Sequence, residues 1–158
     1  MRTMVNDNKT QEVRAIENGT VIDHIPSDQL FKIIRIMQLD RAPQRITFGL
    51  NLESKRMGTK AIIKIADRYC LDKEINRIAL FAPMAMVNTI KDFEVIEKRK
   101  VTVPERMEGF VRCANPKCIT NNEPVRTAFD VLNNDGKISL RCRYCEKVTL
   151  QSQMELIK

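Results

Sequence analysis

The chain has 158 residues, 43% of them hydrophobic and 30% charged, with a formal net charge of +7. Its longest apolar run, Ile78 to Val87, is broken by Pro83 and too short to cross a bilayer, so no helical membrane span is expected. Residues 1–100 carry 18 Lys+Arg against 13 Asp+Glu, a surplus of 5, and residues 101–158 carry 9 against 7, a surplus of 2, so the basic surplus lies mostly in the first part of the chain and needs its own explanation.

No apolar run follows Arg2, so no signal peptide is expected, and the expected compartment is the reducing cytoplasm. Thr10 to Ile16 and Thr20 to Ile25 read as short strands around Glu17-Asn18-Gly19, a hairpin signal. Ser27 has the chemistry of a helix N-cap, and Leu30, Ile33, Ile34 and Met37 recur at helical spacing, which predicts an amphipathic helix over 27–39. Gln44 to Leu52 follows as a strand with Ile46, Phe48, Leu50 and Leu52 on one face. A second strand, Thr59 to Ala66, turns Ala61, Ile63 and Ile65 to one side and Lys60, Ile62 and Lys64 to the other. Asp72 is expected to cap a helix reaching about Phe81, with Cys70 beside it as a small buried hydrophobe. Ala85 to Ile90 and Asp92 to Val101 read as a further hairpin, with Lys98 and Lys100 alternating onto one face. The fold class is therefore α+β: an N-terminal antiparallel sheet with two helices on one face, followed by a small all-β zinc-binding domain.

That second domain is read from four of the five cysteines, Cys113-x4-Cys118 and Cys142-x2-Cys145, which are separated by 23 residues. Two close thiol pairs far apart suit a tetrahedral ion, because each short turn presents two sulfurs. The plainer alternative is two disulfides or four unrelated thiols. Between the pairs, Val125 to Leu132 and Lys137 to Leu140 form a hairpin about Asn133-Asn134-Asp135-Gly136. Four thiolates would fill the coordination sphere of zinc, making it structural rather than catalytic. With the −2 charge of such a centre the module is nearly neutral, a poor binder of phosphate backbone.

Catalytic groups are scarce. The single histidine, His24, follows Asp23, and neighbours on a strand point to opposite faces, so the pair is not expected to act as base and orienting acid. No phosphate-binding Gly-rich loop is present. What remains is a lysine set, Lys60, Lys64, Lys98 and Lys100. It is either a solvated sheet edge or, if the two strands are neighbours, a patch suited to a triphosphate.

Four segments in order, Gly19-Thr-Val-Ile-Asp-His-Ile-Pro26, Gln44-Arg-Ile-Thr-Phe-Gly-Leu-Asn-Leu52, Val101-Thr-Val-Pro-Glu-Arg106 and Cys142-Arg-Tyr-Cys-Glu-Lys147, resemble the regulatory chain of aspartate carbamoyltransferase from about Asp7 to Leu150. The resemblance implies a nucleotide-effector-binding and dimerisation domain over 1–100, a linker over 101–109, and over 110–158 a structural zinc domain docking on the catalytic chain. It implies one Zn2+ per chain, held by Cys113, Cys118, Cys142 and Cys145. It further implies that the catalytic chains form the active trimers and that regulatory homodimers bridge two trimers. The implied effector pocket falls on Ala15, Ile16, Val21, Asp23, His24, Lys60, Lys64, Asn88, Ile90, Phe93, Val95, Lys98 and Lys100. There Lys98 would meet phosphates, Lys60 and Lys64 ribose and phosphate, and Ile16 and Phe93 the base. Phe93 stands where a tyrosine is expected and Lys100 where an arginine is. CTP and UTP would inhibit, and ATP activate, by competing for that pocket. Docking would fall on Asn115, Glu123, Arg143, Tyr144 and Lys147, with Lys117 replacing an asparagine. Neither a membrane nor a nucleic acid is an implied partner. The rival reading, a zinc-ribbon nucleic-acid-binding protein, needs clustered cations and stacking aromatics, for which the module offers Phe110, Phe129 and Tyr144.

Overall fold

The structure, a computed structural model, describes residues 14–157. The strand expected over Thr10 to Ile16 lies outside the described residues except for 14–16, which have no regular secondary structure. The chain then forms β1 (Gly19–Ile25), α1 (Leu30–Ile36), β2 (Ile46–Ser54), β3 (Gly58–Ala66), α2 (Asp72–Ala79), β4 (Met86–Lys91) and β5 (Glu94–Lys100). These strands make one antiparallel sheet in the order β2-β3-β1-β4-β5.

Each sharp reversal has a local cause. Gly19 has a φ of +136°, and a Cβ there would stand 2.0 Å from the carbonyl oxygen of Ile65, so only glycine can start β1 against β3. The β4–β5 connection has two residues, Asp92 and Phe93, with φ of 52° and 67°. Both values are positive, as the turn matching the right-handed twist of a hairpin requires. A bulky Phe in that region is costly. It is held by Phe93 N–H donating to the Glu17 carbonyl at 2.9 Å and Asp92 N–H to Asn18 Oδ1 at 3.2 Å.

Several local expectations give way to tertiary structure. The helix expected over 27–39 is a 3-10 turn at Ser27–Gln29, then α1, then a second 3-10 turn at Leu39–Arg41 after Gln38 adopts a φ of 54°. Ser27 does not cap it: its Oγ is buried without a hydrogen-bond partner. Instead the C-terminal end of α1 is closed by Arg68, whose guanidinium donates to the Met37 carbonyl at 3.4 Å and pairs with Glu74. Asp72 does not cap α2 either. Glu74 Oε2 accepts from Leu71 N–H at 3.0 Å, and Asp72 is the first helical residue. In β2, a bulge between Gly49 and Leu52, with Asn51 at a φ of 58°, turns Leu52 to the face opposite Phe48, where it pairs with Lys60.

The second unit has a four-stranded antiparallel sheet, β6 (Arg106–Glu108), β7 (Ala128–Asn134), β8 (Lys137–Cys142) and β9 (Val148–Leu150), and one helical turn, α3 (Ile119–Asn122). β6 comes from the stretch read as a linker. β7 and β8 meet at Asp135-Gly136, with φ of 54° and 87°, as the sequence predicts.

Both helices cover the face of the first sheet that carries Ile22, Ile63, Ile65 and Val87. Their apolar sides join Val111, Phe129, Leu140 and Met154 of the second unit in one continuous core. Among the described residues, polar contacts cross between the units. Gln151 Nε2 donates to the Leu80 carbonyl at 2.8 Å, Lys32 Nζ donates to the Met154 carbonyl at 3.0 Å, and the Arg77 guanidinium sits 4.5 Å from the centre of the Phe110 ring. Gly19→Ala should destabilise the chain by more than about 2 kcal/mol in urea unfolding. Gly58→Ala, where φ is +79° but an added Cβ meets nothing within 4 Å, should cost only about 1 kcal/mol.

Candidate functional sites

The face of the first sheet away from the helices is polar at its margins and apolar in the middle. Strand register sets Lys64, Val21, Asn88 and Lys98 in one row across β3, β1, β4 and β5. A second row holds Asp23, Met86 and Lys100. Ile16, Val21 and Ile90 form a separate buried cluster with Ile62 against it. The lysine pairs are therefore not on neighbouring strands. β1 and β4 lie between them, so Lys64 and Lys98 start about 14 Å apart, three strand spacings. The cations flank an apolar strip.

Lys60 Nζ lies 2.8 Å from Asp23 Oδ1. Lys64 is only 8% exposed, and burial lowers its pKa against the opposing pull of Asp23. His24 departs from strand geometry: its φ is 60° and the β1–β3 register slips between Ile22 and Ile25. The alternation that would separate Asp23 from His24 therefore fails. His24 N–H donates to Asp23 Oδ1 at 2.6 Å, and Nδ1 comes to 3.9 Å from Oδ2. Burial lowers the His24 pKa, and the positive charges of Lys60, Arg56 and Lys98 lower it further, against Asp23. The lowered pKa favours the neutral ring. His24 Nδ1 and Asn88 Oδ1 are both buried without a hydrogen-bond partner among the described residues. Such atoms call for a partner outside the described residues, as Ser27 Oγ, Arg99 Nε and Thr127 Oγ1 also do.

At the rim, Ala15, Val95, Lys98 and Lys100 are exposed, and Phe93 stands out from its turn at 64% exposure. Leu52 and Arg56 were not singled out by sequence reasoning. Leu52 arrives through the bulge in β2, and Arg56 acts on His24 from the β2–β3 loop; neither event leaves a local signature.

In the second unit the four sulfurs lie within 4.8 Å of one another. Cys113 and Cys145 are 3.6 Å apart and Cys118 and Cys142 3.7 Å, far beyond a disulfide bond, and all four are free thiols. A tetrahedron of sulfurs each about 2.3 Å from a zinc ion has edges of about 3.8 Å, so the geometry fits a metal ion such as zinc. The donors around the sulfurs are those a thiolate wants. Thr120 Oγ1 donates to Cys118 Sγ at 3.2 Å, and the N–H groups of Tyr144 and Cys145 donate to Cys142 Sγ at 3.4 and 3.5 Å. Without a cation, burial pushes the Cys113 thiol up to about 12 and raises Cys142 as well. Asn115, Lys117, Glu123, Arg143, Tyr144 and Lys147 all lie on or beside the two cysteine-bearing turns. Asn121 Nδ2 stiffens the first of these by donating to the carbonyls of Cys113 at 2.9 Å and Asn115 at 2.7 Å.

Two family descriptions match the chain in succession: aspartate carbamoyltransferase regulatory chain, allosteric domain, over residues 11–102, and the metal binding domain of the same chain over residues 105–155. The chain belongs to this family. Among its relatives, the aspartate carbamoyltransferase regulatory chain of Bacteroides thetaiotaomicron is 46% identical over 154 residues, covering 98% of this chain and 100% of the relative. That of Phocaeicola vulgatus is 49% identical, with 97% and 99% covered, and that of Porphyromonas gingivalis 51% identical, with 92% and 95% covered. The family is a regulatory one, and its allosteric domain coincides with the sheet and its orphaned polar atoms, its metal binding domain with the four-cysteine centre.

Two measurements follow from the regulatory chain's geometry. Because the folded pKa of His24 is lowered, the unfolded chain binds more protons below about pH 6.5. Stability from this group is present above that pH and lost as pH falls. His24→Asn, which tolerates the positive φ, should flatten the decline in stability between about pH 7 and 5. Because the thiols must lose protons to bind metal, lowering the pH should release one ion per chain together with amide protection of β7 and β8. Cys118→Ser should retain no stoichiometric metal.

Proposed function

We propose that this chain is the non-catalytic subunit through which nucleoside triphosphates control the aspartate carbamoyltransferase complex, with CTP and UTP inhibiting and ATP activating. The observation that carries the reading is the apolar strip of the first sheet, flanked by Lys60 and Lys64 on one side and Lys98 and Lys100 on the other, with two unpartnered polar atoms between. A nucleotide has the complementary layout. Its base lies against Ile16, Val21, Ile90, Phe93 and Val95 beside Ala15, its edge meets Asn88 Oδ1 and His24 Nδ1, and its ribose and phosphates meet the Asp23–Lys60 pair, Lys64, Lys98 and Lys100. Nothing there breaks a bond. The site binds, and regulation follows because a ligand that prefers one quaternary state shifts the population toward it.

Assembly uses the other surfaces. The edge strand β2 exposes Phe48 and Leu50 beside Phe31, whose ring meets that of Phe48 edge-on at 6.0 Å. An apolar sheet edge of this kind fits pairing with a second copy. In the second unit, Zn2+ would be held by Cys113, Cys118, Cys142 and Cys145, supplying a rigid cross-link and no open coordination position. The turns it fixes present Asn115, Lys117, Glu123, Arg143, Tyr144 and Lys147 to the catalytic chain, so that regulatory dimers bridge catalytic trimers.

Calorimetric titration of the assembled complex with CTP and with ATP tests the nucleotide site. Lys98→Ala and Asn88→Ala should each weaken binding of both nucleotides by about tenfold or more, the loss expected for a charge-assisted or buried hydrogen bond, without dissociating the complex. Unchanged affinity in both variants would remove the site from this face.

A further inference from the structure

A cleft of about 590 Å3 opens beside the four sulfurs, between the first cysteine-bearing turn, α3 and the C-terminal segment. Val111 bridges Leu156 in antiparallel fashion, with Arg112 N–H donating to the Glu155 carbonyl at 2.8 Å and Ile157 N–H to that of Phe110 at 3.0 Å. That register sets Arg112 directly opposite Glu155. Val111 is 0% exposed, so its side chain points into the core, and those of Arg112 and Glu155 turn to the other side, where both line the cleft. Opposite charges on directly opposed residues ordinarily join. These do not: among the described residues neither the guanidinium nor the carboxylate takes part in an ion pair. They are also the only Lys, Arg, Asp or Glu lining the cleft. One positive and one negative group therefore face the same space unjoined.

We infer that this cleft binds a small zwitterion, an α-amino acid, with its carboxylate on Arg112 and its ammonium on Glu155. The guanidinium fork matches a carboxylate in two hydrogen bonds, and an ammonium brings three donors that need acceptors. The neutral residues supply the same division. Gln153 Oε1 is occupied by Leu150 N–H at 3.1 Å, which leaves Nε2 free to donate. Asn121 Nδ2 is occupied by the carbonyls of Cys113 and Asn115 at 2.9 and 2.7 Å, which leaves Oδ1 free to accept. Ala114 and Pro116 offer an apolar wall for the amino acid's side chain. Cys113 contributes backbone only: it is 2% exposed, and its Sγ lies 3.6 Å from Cys145 Sγ among the other sulfurs. A simple anion fits less well, because Glu155 stands opposite Arg112 and repels it; a simple cation meets the converse problem. The inference is independent of the nucleotide reading.

The test is a titration of the full-length, metal-loaded, 15N-labelled chain with L-alanine, read from the amide resonances of Arg112, Ala114, Asn121, Gln153 and Glu155. Propionate and isopropylamine, which carry one charge each, are titrated in parallel. L-Alanine should give saturable shifts at those amides with a Kd of about 1 mM, the range of a few hydrogen bonds open to water. Each single-charge probe should bind about tenfold more weakly or worse. Arg112→Gln and Glu155→Gln should each weaken L-alanine binding by about tenfold. Both side chains are exposed, so metal content and thermal unfolding should be unchanged. Gln153→Ala, which leaves both charges in place, should weaken binding by about threefold and decides the matter if a charge variant loses its metal. No saturable shift with L-alanine, or wild-type affinity in all three variants, overturns the inference. So does propionate binding as tightly as L-alanine, which would make Arg112 an anion site only. The regulatory-subunit reading stands in either case.

Discussion

Four sulfurs within 4.8 Å of one another, three of them on buried cysteines, are stable together only around a cation. Deprotonated and alone they repel, and protonated they offer weak donors to neighbours that are themselves donors, such as Thr120 and the amides of Tyr144 and Cys145. The second unit is small, and Cys113, Cys118 and Cys142 belong to the same core as Phe129 and Leu140. The ion is therefore part of that core. Its binding free energy is folding free energy for the small sheet that the cysteine-bearing turns join.

The same core continues without a break into the helices of the first unit, and this fixes what each sheet face can do. α1 and α2 cover one face of the five-stranded sheet and, through Leu80, Arg77 and Lys32, touch the metal-binding unit. The opposite face is left free of the helices. Lys98 and Lys100 stand there while Arg99, between them on β5, turns back to Asp72 at the start of α2 at 3.0 Å. That pair is exposed and contributes little to stability. Its place in the structure matters more than its strength: α2 is contacted at its beginning by β5 of the first sheet and at its end by the metal-binding unit.

Much of this was legible in the sequence, and the parts that were share a cause. The Asp135-Gly136 hairpin, the thiol pairs and the alternation of Ile63 and Ile65 against Lys60 and Lys64 are set by residues within a few positions of one another. What was not legible depends on partners far along the chain. The separation of the two lysine strands by β1 and β4 is a matter of strand order, which no local pattern encodes. Residues with positive φ account for most of the remaining differences: His24 escapes strand alternation, Gln38 shortens α1, Asn51 reverses Leu52, and Phe93 takes a turn position usually given to glycine. Ser27 and Asp72 have the right chemistry for caps, but Glu74 and Arg68 satisfy the helix ends that matter for packing.

The central claim is that the nucleotide face and the catalytic chain are energetically coupled through this subunit. The most direct measurement is CTP affinity in the assembled complex with and without a saturating substrate analogue, alongside analogue affinity with and without CTP. Reciprocity requires the two ratios to be equal, and regulation requires them to differ from one, typically by about five- to 150-fold. Equal affinities in all four titrations would show that the chain binds and assembles but does not regulate.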